Sequence, residues 1–292
     1  MNQSQTTLSD ELLRAEGLLV QGQPERACEL LARLAEDAEE YVDRNCPTTE
    51  ELQWFSFPTI FERLAYRRVE NDPRELRDVG EPLDRLYADL ALAHVHCGDY
   101  EQAAIALRQA IRWNPMGCEH RLNLADLCRI EGDLREHLAL SFSVFERASE
   151  AEHLVRAFLN FAAYFRAAEN PRAAAACLRV ARRLGVADQS LEAALDQATG
   201  TEADPDALTD DEATQLLEAD GLPDGANAEI AICLLMCAQD AAALGERNVA
   251  TNLTLRARDL VGEKAAMALL ALIRGEDDEP AQAGEEARDA QG

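Results

Sequence analysis

Apolar residues recur three and four positions apart along most of this chain, and the strict alternation of a half-buried strand is scarce. The periodic stretches stop at Gly, Asn or Pro turns, so the pattern predicts short amphipathic helices joined in hairpins, an all-α fold. Sliding the sequence against itself gives an internal match at an offset of 34 residues, with Leu90, Ala91, Gly98 and Asp99 falling on Leu124, Ala125, Gly132 and Asp133. In both copies a helical pattern runs into Gly-Asp and a second one follows. The glycine suits the left-handed residue that ends a helix, and the aspartate can cap the next.

The segment 84–117 resembles the tetratricopeptide family: Tyr87, Leu90, Ala91, Gly98, Tyr100, Ala103, Leu107, Ala110 and Pro115 stand at signature positions. A second unit, 118–151, keeps Leu124, Ala125, Gly132 and Asp133 but has His137 where a small alanine is usual. A third, 155–188, carries Phe158, Phe161, Ala162, Phe165, Ala174, Leu178 and Ala181, with Glu169-Asn170-Pro171 at its turn. Proline at the first helical position after an Asn cap is favourable. Weaker hairpins are expected around Gly22-Gln23-Pro24, with Ala15, Ala27, Leu31 and Leu34, and around Gly245, with Ala238, Ala250 and Ala257. The resemblance implies a right-handed superhelix of hairpins, an α-solenoid, with one concave binding surface.

The expected organisation is a degenerate hairpin at 1–44, an aromatic-rich helical insert at 45–83, three repeat units at 84–188, an acidic linker with a short helix at 189–227, a C-terminal hairpin at 228–275 and a disordered acidic tail at 276–292. In the insert, Thr48 and Glu51 have capping-box spacing and predict a helix that Phe57-Pro58 ends, followed by a second helix through Phe61-Glu-Arg-Leu-Ala-Tyr. Thr209 and Glu212 predict the start of the short helix, ending near Asp220. The run Trp54-Phe55-Ser56-Phe57 resembles a segment in a group of bacterial tetratricopeptide-containing proteins, which supplies a family but no activity. Trp54, Phe55 and Phe57 are either an anchor for a partner or a plug between the first hairpin and the stack. The aromatics Phe142, Phe145, Phe158, Phe161, Tyr164 and Phe165 read as core.

The formal charge is −27, and residues 201–292 carry 21 acidic against 6 basic side chains. Such a surface repels polyanions, which argues against nucleic acid as a partner. The polar start of the chain has no secretory pattern and no apolar run reaches membrane-spanning length, so a cytoplasmic protein is expected, with its eight cysteines as thiols. No phosphate loop, dinucleotide fingerprint or nucleophile elbow is present. Neither a catalytic residue nor a cofactor is assigned, and the acidic 199–227 segment lacks the EF-hand pattern. His94, His96, Cys97, Cys118 and His120 invite thought of a metal, but their spacing scatters them over different helix faces, so no metal ligand is assigned.

By resemblance, the concave face would present Arg85, Ala88, Asp89, Leu92 and Val95 from the first unit, Glu119, Leu122, Asn123, Asp126 and Arg129 from the second, and Arg156, Leu159, Asn160, Ala163 and Arg166 from the third. The binding candidates are Arg85, Asn123, Asp126, Arg129, Arg156, Asn160 and Arg166. Four arginines against three acids suggest an acidic or carboxylate-bearing segment of a protein partner, unless the arginines pair with neighbouring helix carboxylates. Of the carboxylate clamp known in some relatives, Asn123 and Arg156 are matched, whereas Ala88, Leu92 and Asn160 depart from it. The leading expectation is a scaffold that binds a peptide or helix in this groove. A regulator that closes around a small peptide or metabolite is the alternative, and a metal-dependent enzyme a more distant one.

Overall fold

The computed structural model describes residues 7–277. Helices follow one another as the periodicity predicts. The first hairpin is α1 (Leu8–Val20) and α2 (Pro24–Asn45). Three consecutive hairpins then occupy the middle: α4 (Leu83–Cys97) with α5 (Tyr100–Trp113), α6 (Cys118–Glu131) with α7 (Leu134–Phe145), and α8 (Ala151–Ala167) with α9 (Pro171–Arg183). The two helices of each hairpin pack on each other, α5 packs on α6 and α7 on α8 to join successive hairpins, and α2 packs on α4.

The turns explain the registration. Gly98 and Gly132 close α4 and α6 at φ 79° and 86°, where a side chain would be strained. Asp99 and Asp133 then accept hydrogen bonds from the amides of Gln102 and Glu136, capping α5 and α7. In the third hairpin Glu169 takes the left-handed position at φ 57°, and Asn170 caps α9 by accepting from the Ala173 amide, with Pro171 opening the helix. The bulky His137 fits because its Nδ1 lies 2.8 Å from the Ala125 carbonyl oxygen, which satisfies the buried ring in the space an alanine would leave.

The insert departs from expectation. Instead of a helix after Thr48, residues Leu52–Phe55 form strand β1, paired in parallel with β2 (Glu75–Asp78), Leu52 opposite Glu75 and Phe55 opposite Asp78. The Thr49 amide donates to the Leu52 carbonyl in a turn, and the aromatic run favours an extended backbone. The second expected helix is present as α3 (Ile60–Glu70), with a capping box of Thr59 and Glu62. Ser56 fastens the insert to the stack: its amide donates to the Trp113 carbonyl at 2.9 Å, and its hydroxyl donates to the Glu81 carbonyl at 2.8 Å and accepts from the Leu83 amide at 2.9 Å. Buried Asp84 sits between Ser56 and the Asn114 side chain.

The acidic segment after α9 is not a linker. It forms α10 (Gln189–Ala198), a 3-10 turn at Pro205–Ala207, and α11 (Asp210–Ala219), with Leu191, Ala203, Leu208, Leu217 and Leu222 buried in the core. The acids occupy the outer face, while a sparse set of Leu and Ala side chains covers α9; the predicted Thr209 and Glu212 capping box is present. The C-terminal hairpin is α12 (Ala228–Ala243) and α13 (Arg247–Val261), joined by a further helix, α14 (Glu263–Asp277). Of the tail expected to be disordered, Glu276 and Asp277 end α14, and 278–292 lie outside the described residues.

Two hydrophobic clusters result. One joins the first hairpin to α4, α5 and part of α6, and the other runs from the insert through α6–α9 to α13. The insert bridges them, Trp54 packing on the first and Phe55, Phe61, Tyr66 and Leu76 lying in the second. Among the described residues no helix is long and apolar enough to cross a membrane.

Candidate functional site

The side chains of α4, α5 and α6 enclose an open cleft of about 630 Å³. Arg85, Ala88, Asp89, Leu92 and Val95, the α4 positions named from the resemblance, line it, and Glu119, Asn123 and Asp126 line it from α6. Leu122, expected on this face, is wholly buried instead, because its position on α6 points it at the second core cluster. The residues that the repeat positions did not identify are Asp84, Ala91, Tyr100, Leu107, His120, Leu127 and Ile130. Tyr100 had a signal of its own as a signature position, yet it is 42% exposed. Ile130, at 56%, shows only as an apolar residue one turn beyond Asp126.

The lining combines two properties. Leu92, Val95, Tyr100 and Ile130 are large apolar side chains left exposed along one cleft, a clustering that marks interaction surfaces. Around them stand four carboxylates, Asp84, Asp89, Glu119 and Asp126, against one guanidinium, Arg85. The expected arginine surplus is therefore not free to meet a ligand. Arg85 donates to Glu16 of α1, with its Nε at 3.0 Å. Arg156 donates to Asp126 at 3.0 Å and Asn123 at 3.2 Å, Arg129 lies 3.9 Å from Asp126, and Arg166 donates to Gln197 at 3.4 Å. Asn160 donates to the Ser141 hydroxyl at 2.9 Å and is likewise occupied. Counting charges by repeat position overlooked these partners on α1, α7 and α10.

Asp89 is the least compensated group in the cleft. Its Oδ2 is buried and has no hydrogen-bond partner; the nearest cation, Arg85, is 3.9 Å away and turned to Glu16. Burial foremost, then the neighbouring Glu16 carboxylate, pushes the Asp89 pKa up to about 6, with Arg85 opposing and Asp84 adding to the rise. His120, at the cleft floor, is held below the usual imidazole range by burial and so is neutral near pH 7.

The aromatic run forms no free anchor. Phe55 is buried, stacked on Phe57 at 4.8 Å and tilted against Tyr66 at 4.7 Å. Trp54 is half-buried, donating its ring N–H to the Pro47 carbonyl, with Arg77 over its face. Of the histidines and cysteines considered for metal binding, Cys118 is buried in the second cluster and His96 is exposed on α4, while His94 and Cys97 each lie 3.8 Å from Cys28 of α2; among the described residues no group of three or more His, Cys, Asp or Glu could hold a metal ion. No family model matches the chain, and no curated protein matches it.

Proposed function

We propose that this chain is a non-enzymatic scaffold of tetratricopeptide type, whose hairpins wind into a superhelix and whose α4–α6 cleft holds a partner segment bearing apolar and basic side chains. The observation that carries the reading is the coincidence of four exposed apolar side chains with Asp89 and Glu119 in one cleft, the arginine there being turned to Glu16 while Asp126 is matched by Arg156 and Asp84 is buried against Ser56 and Asn114. An apolar face of the ligand would cover Leu92, Val95, Tyr100 and Ile130, and its Lys or Arg side chains would donate to Asp89 and Glu119. This reverses the charge expected of the ligand from the arginine count. The test is fluorescence polarisation with labelled peptides of about two to four helical turns, graded from acidic to basic at constant apolar content. Basic peptides should bind, with affinity falling as salt rises.

A second reading, a regulator that takes a small metabolite, draws on the cleft volume of about 630 Å³, which lies in the range of small-molecule sites. Thermal-shift screening separates the two, because a ligand selective for the native state raises the apparent stability.

A further inference from the structure

Away from the cleft floor, three reactive side chains meet where α2 packs on α4. Cys28, in the second turn of α2, has its Sγ 3.8 Å from the Sγ of Cys97, the last residue of α4, and 3.8 Å from Nδ1 of His94 on the same helix. The two thiols lie 69 positions apart in the chain, so their contact is made by the tertiary fold and not by helical proximity. They differ in access: Cys97 is exposed and Cys28 half-buried, whereas Cys46, Cys118, Cys128, Cys177 and Cys233 are buried. We propose that Cys28 and Cys97 form a reversible disulfide under peroxide, an oxidation site that ties the first hairpin to the repeat stack.

The two sulfurs are in van der Waals contact at the end of α4, where Cys97 precedes Gly98, and bonding requires them to close to about 2.05 Å. The order of events follows from access. Burial, reinforced by Cys97, pushes the Cys28 thiol up to about 12, so Cys28 stays protonated until late and Cys97 meets the oxidant. The Cys97 thiolate attacks hydrogen peroxide, forming an S–O bond as the O–O bond breaks, and hydroxide leaves to take up a proton as water. The Cys28 sulfur then displaces hydroxide from the Cys97 sulfenic acid. Its proton passes to Nδ1 of His94 and on to the departing hydroxide. Two thiols and one peroxide give one disulfide and two waters: the sulfurs lose two electrons and the peroxide gains them.

The consequence is structural. The bond would close a loop that includes the rest of α2, the insert and α4, and would fix the hairpin whose Glu16 holds Arg85 at the cleft edge. A loop of that size restricts the unfolded chain strongly.

The experiment treats the full chain with a few equivalents of hydrogen peroxide, blocks free thiols by alkylation, and maps tryptic peptides without reduction. The expected product is peptide 27–33 joined to peptide 86–108, two mass units lighter than their sum and separated by dithiothreitol. The oxidised protein should melt several degrees higher than the reduced one. Cys97→Ser, at an exposed position, should fold and leave Cys28 unmodified, and Cys28→Ser should leave a Cys97 sulfenic acid that dimedone captures. The proposal is overturned if Cys97 proceeds to sulfinic acid in the unaltered chain, if it pairs between molecules, or if the cross-linked peptides form without any rise in melting temperature.

Discussion

Replacing Asp89 by Asn keeps the shape of the cleft floor and removes one charge. In the native cleft that carboxylate is largely buried, its Oδ2 has no hydrogen-bond partner and Glu16 opposes it, so ionising it costs the folded state free energy. Its pKa stands at about 6 in the folded chain against 3.8 in its ordinary setting. At ~1.4 kcal/mol per pKa unit, the native state would be stabilised by the substitution by about 2 to 3 kcal/mol near pH 7, with neighbouring relaxation reducing the figure. The sign follows from proton counts. Between pH 4 and 6 the folded chain holds the Asp89 proton and the unfolded chain has released it, so the contribution of Asp89 to stability falls as pH rises and is lowest above pH 6. Below pH 4 both states are protonated and the cost vanishes. Urea unfolding of Asp89→Asn and unaltered protein, in parallel from pH 4 to 7.5, should therefore show a stability difference near zero at the acid end that grows through pH 6 to favour the variant. A variant that is less stable at pH 7, or a difference that does not change with pH, would refute the description of Asp89 as an uncompensated buried charge. The same substitution should weaken the binding of a basic peptide, so stability and binding would move in opposite directions, as expected where a site is kept at the expense of the fold.

Other outcomes follow from single contacts. Glu169→Gly places glycine where φ is 57° and should stabilise the chain by about 0.5 to 1 kcal/mol in denaturant unfolding. Ser56→Ala removes the hydroxyl that serves Glu81, Leu83 and Asp84 at the insert junction, and should cost about 1 to 3 kcal/mol in the same assay. His137→Leu leaves the Ala125 carbonyl without its ring partner and should likewise lose about 1 to 3 kcal/mol, whereas a true repeat alanine there would open a cavity. Binding of a basic peptide should strengthen as pH rises from 5 to 7, because Asp89 must ionise to receive the cation, and Asp89→Asn should flatten that profile.

How much of this was legible in the sequence varies with the range of the interactions. The hairpins were, because Gly98-Asp99 and Gly132-Asp133 encode a left-handed stop and a cap within two adjacent residues. The capping boxes at Thr59 and Thr209 were local as well, although the first was overlooked in favour of Thr48 and Glu51, whose spacing was right and whose setting was not. The choice of strand for Leu52–Phe55 depends on pairing with Glu75–Asp78, a partner that no local pattern announces. The packing of the acidic segment after α9 is hidden for a related reason: composition averages over both faces of a helix, and the few apolar residues that matter, Leu191, Leu208 and Leu217, meet their partners only in the folded chain. At the cleft, the repeat positions taken from the resemblance include most of the α4 and α6 lining. They could not show that Arg85 reaches back to Glu16 or that Arg156 reaches Asp126, two contacts that leave neither arginine free for a ligand.

The proposed preference of the α4–α6 cleft for basic ligands rests on its carboxylates and its exposed apolar side chains. Its most direct test is a peptide series of matched length and apolar content, varying in net charge, titrated against the unaltered chain and against Leu92→Arg/Ile130→Arg by fluorescence polarisation. Both substituted side chains are exposed in the cleft, so the double variant should fold. Saturable binding of basic peptides to the unaltered chain, lost in the double variant, is the predicted result. Preference for acidic peptides, or binding of basic ones that the double variant retains undiminished, would contradict it.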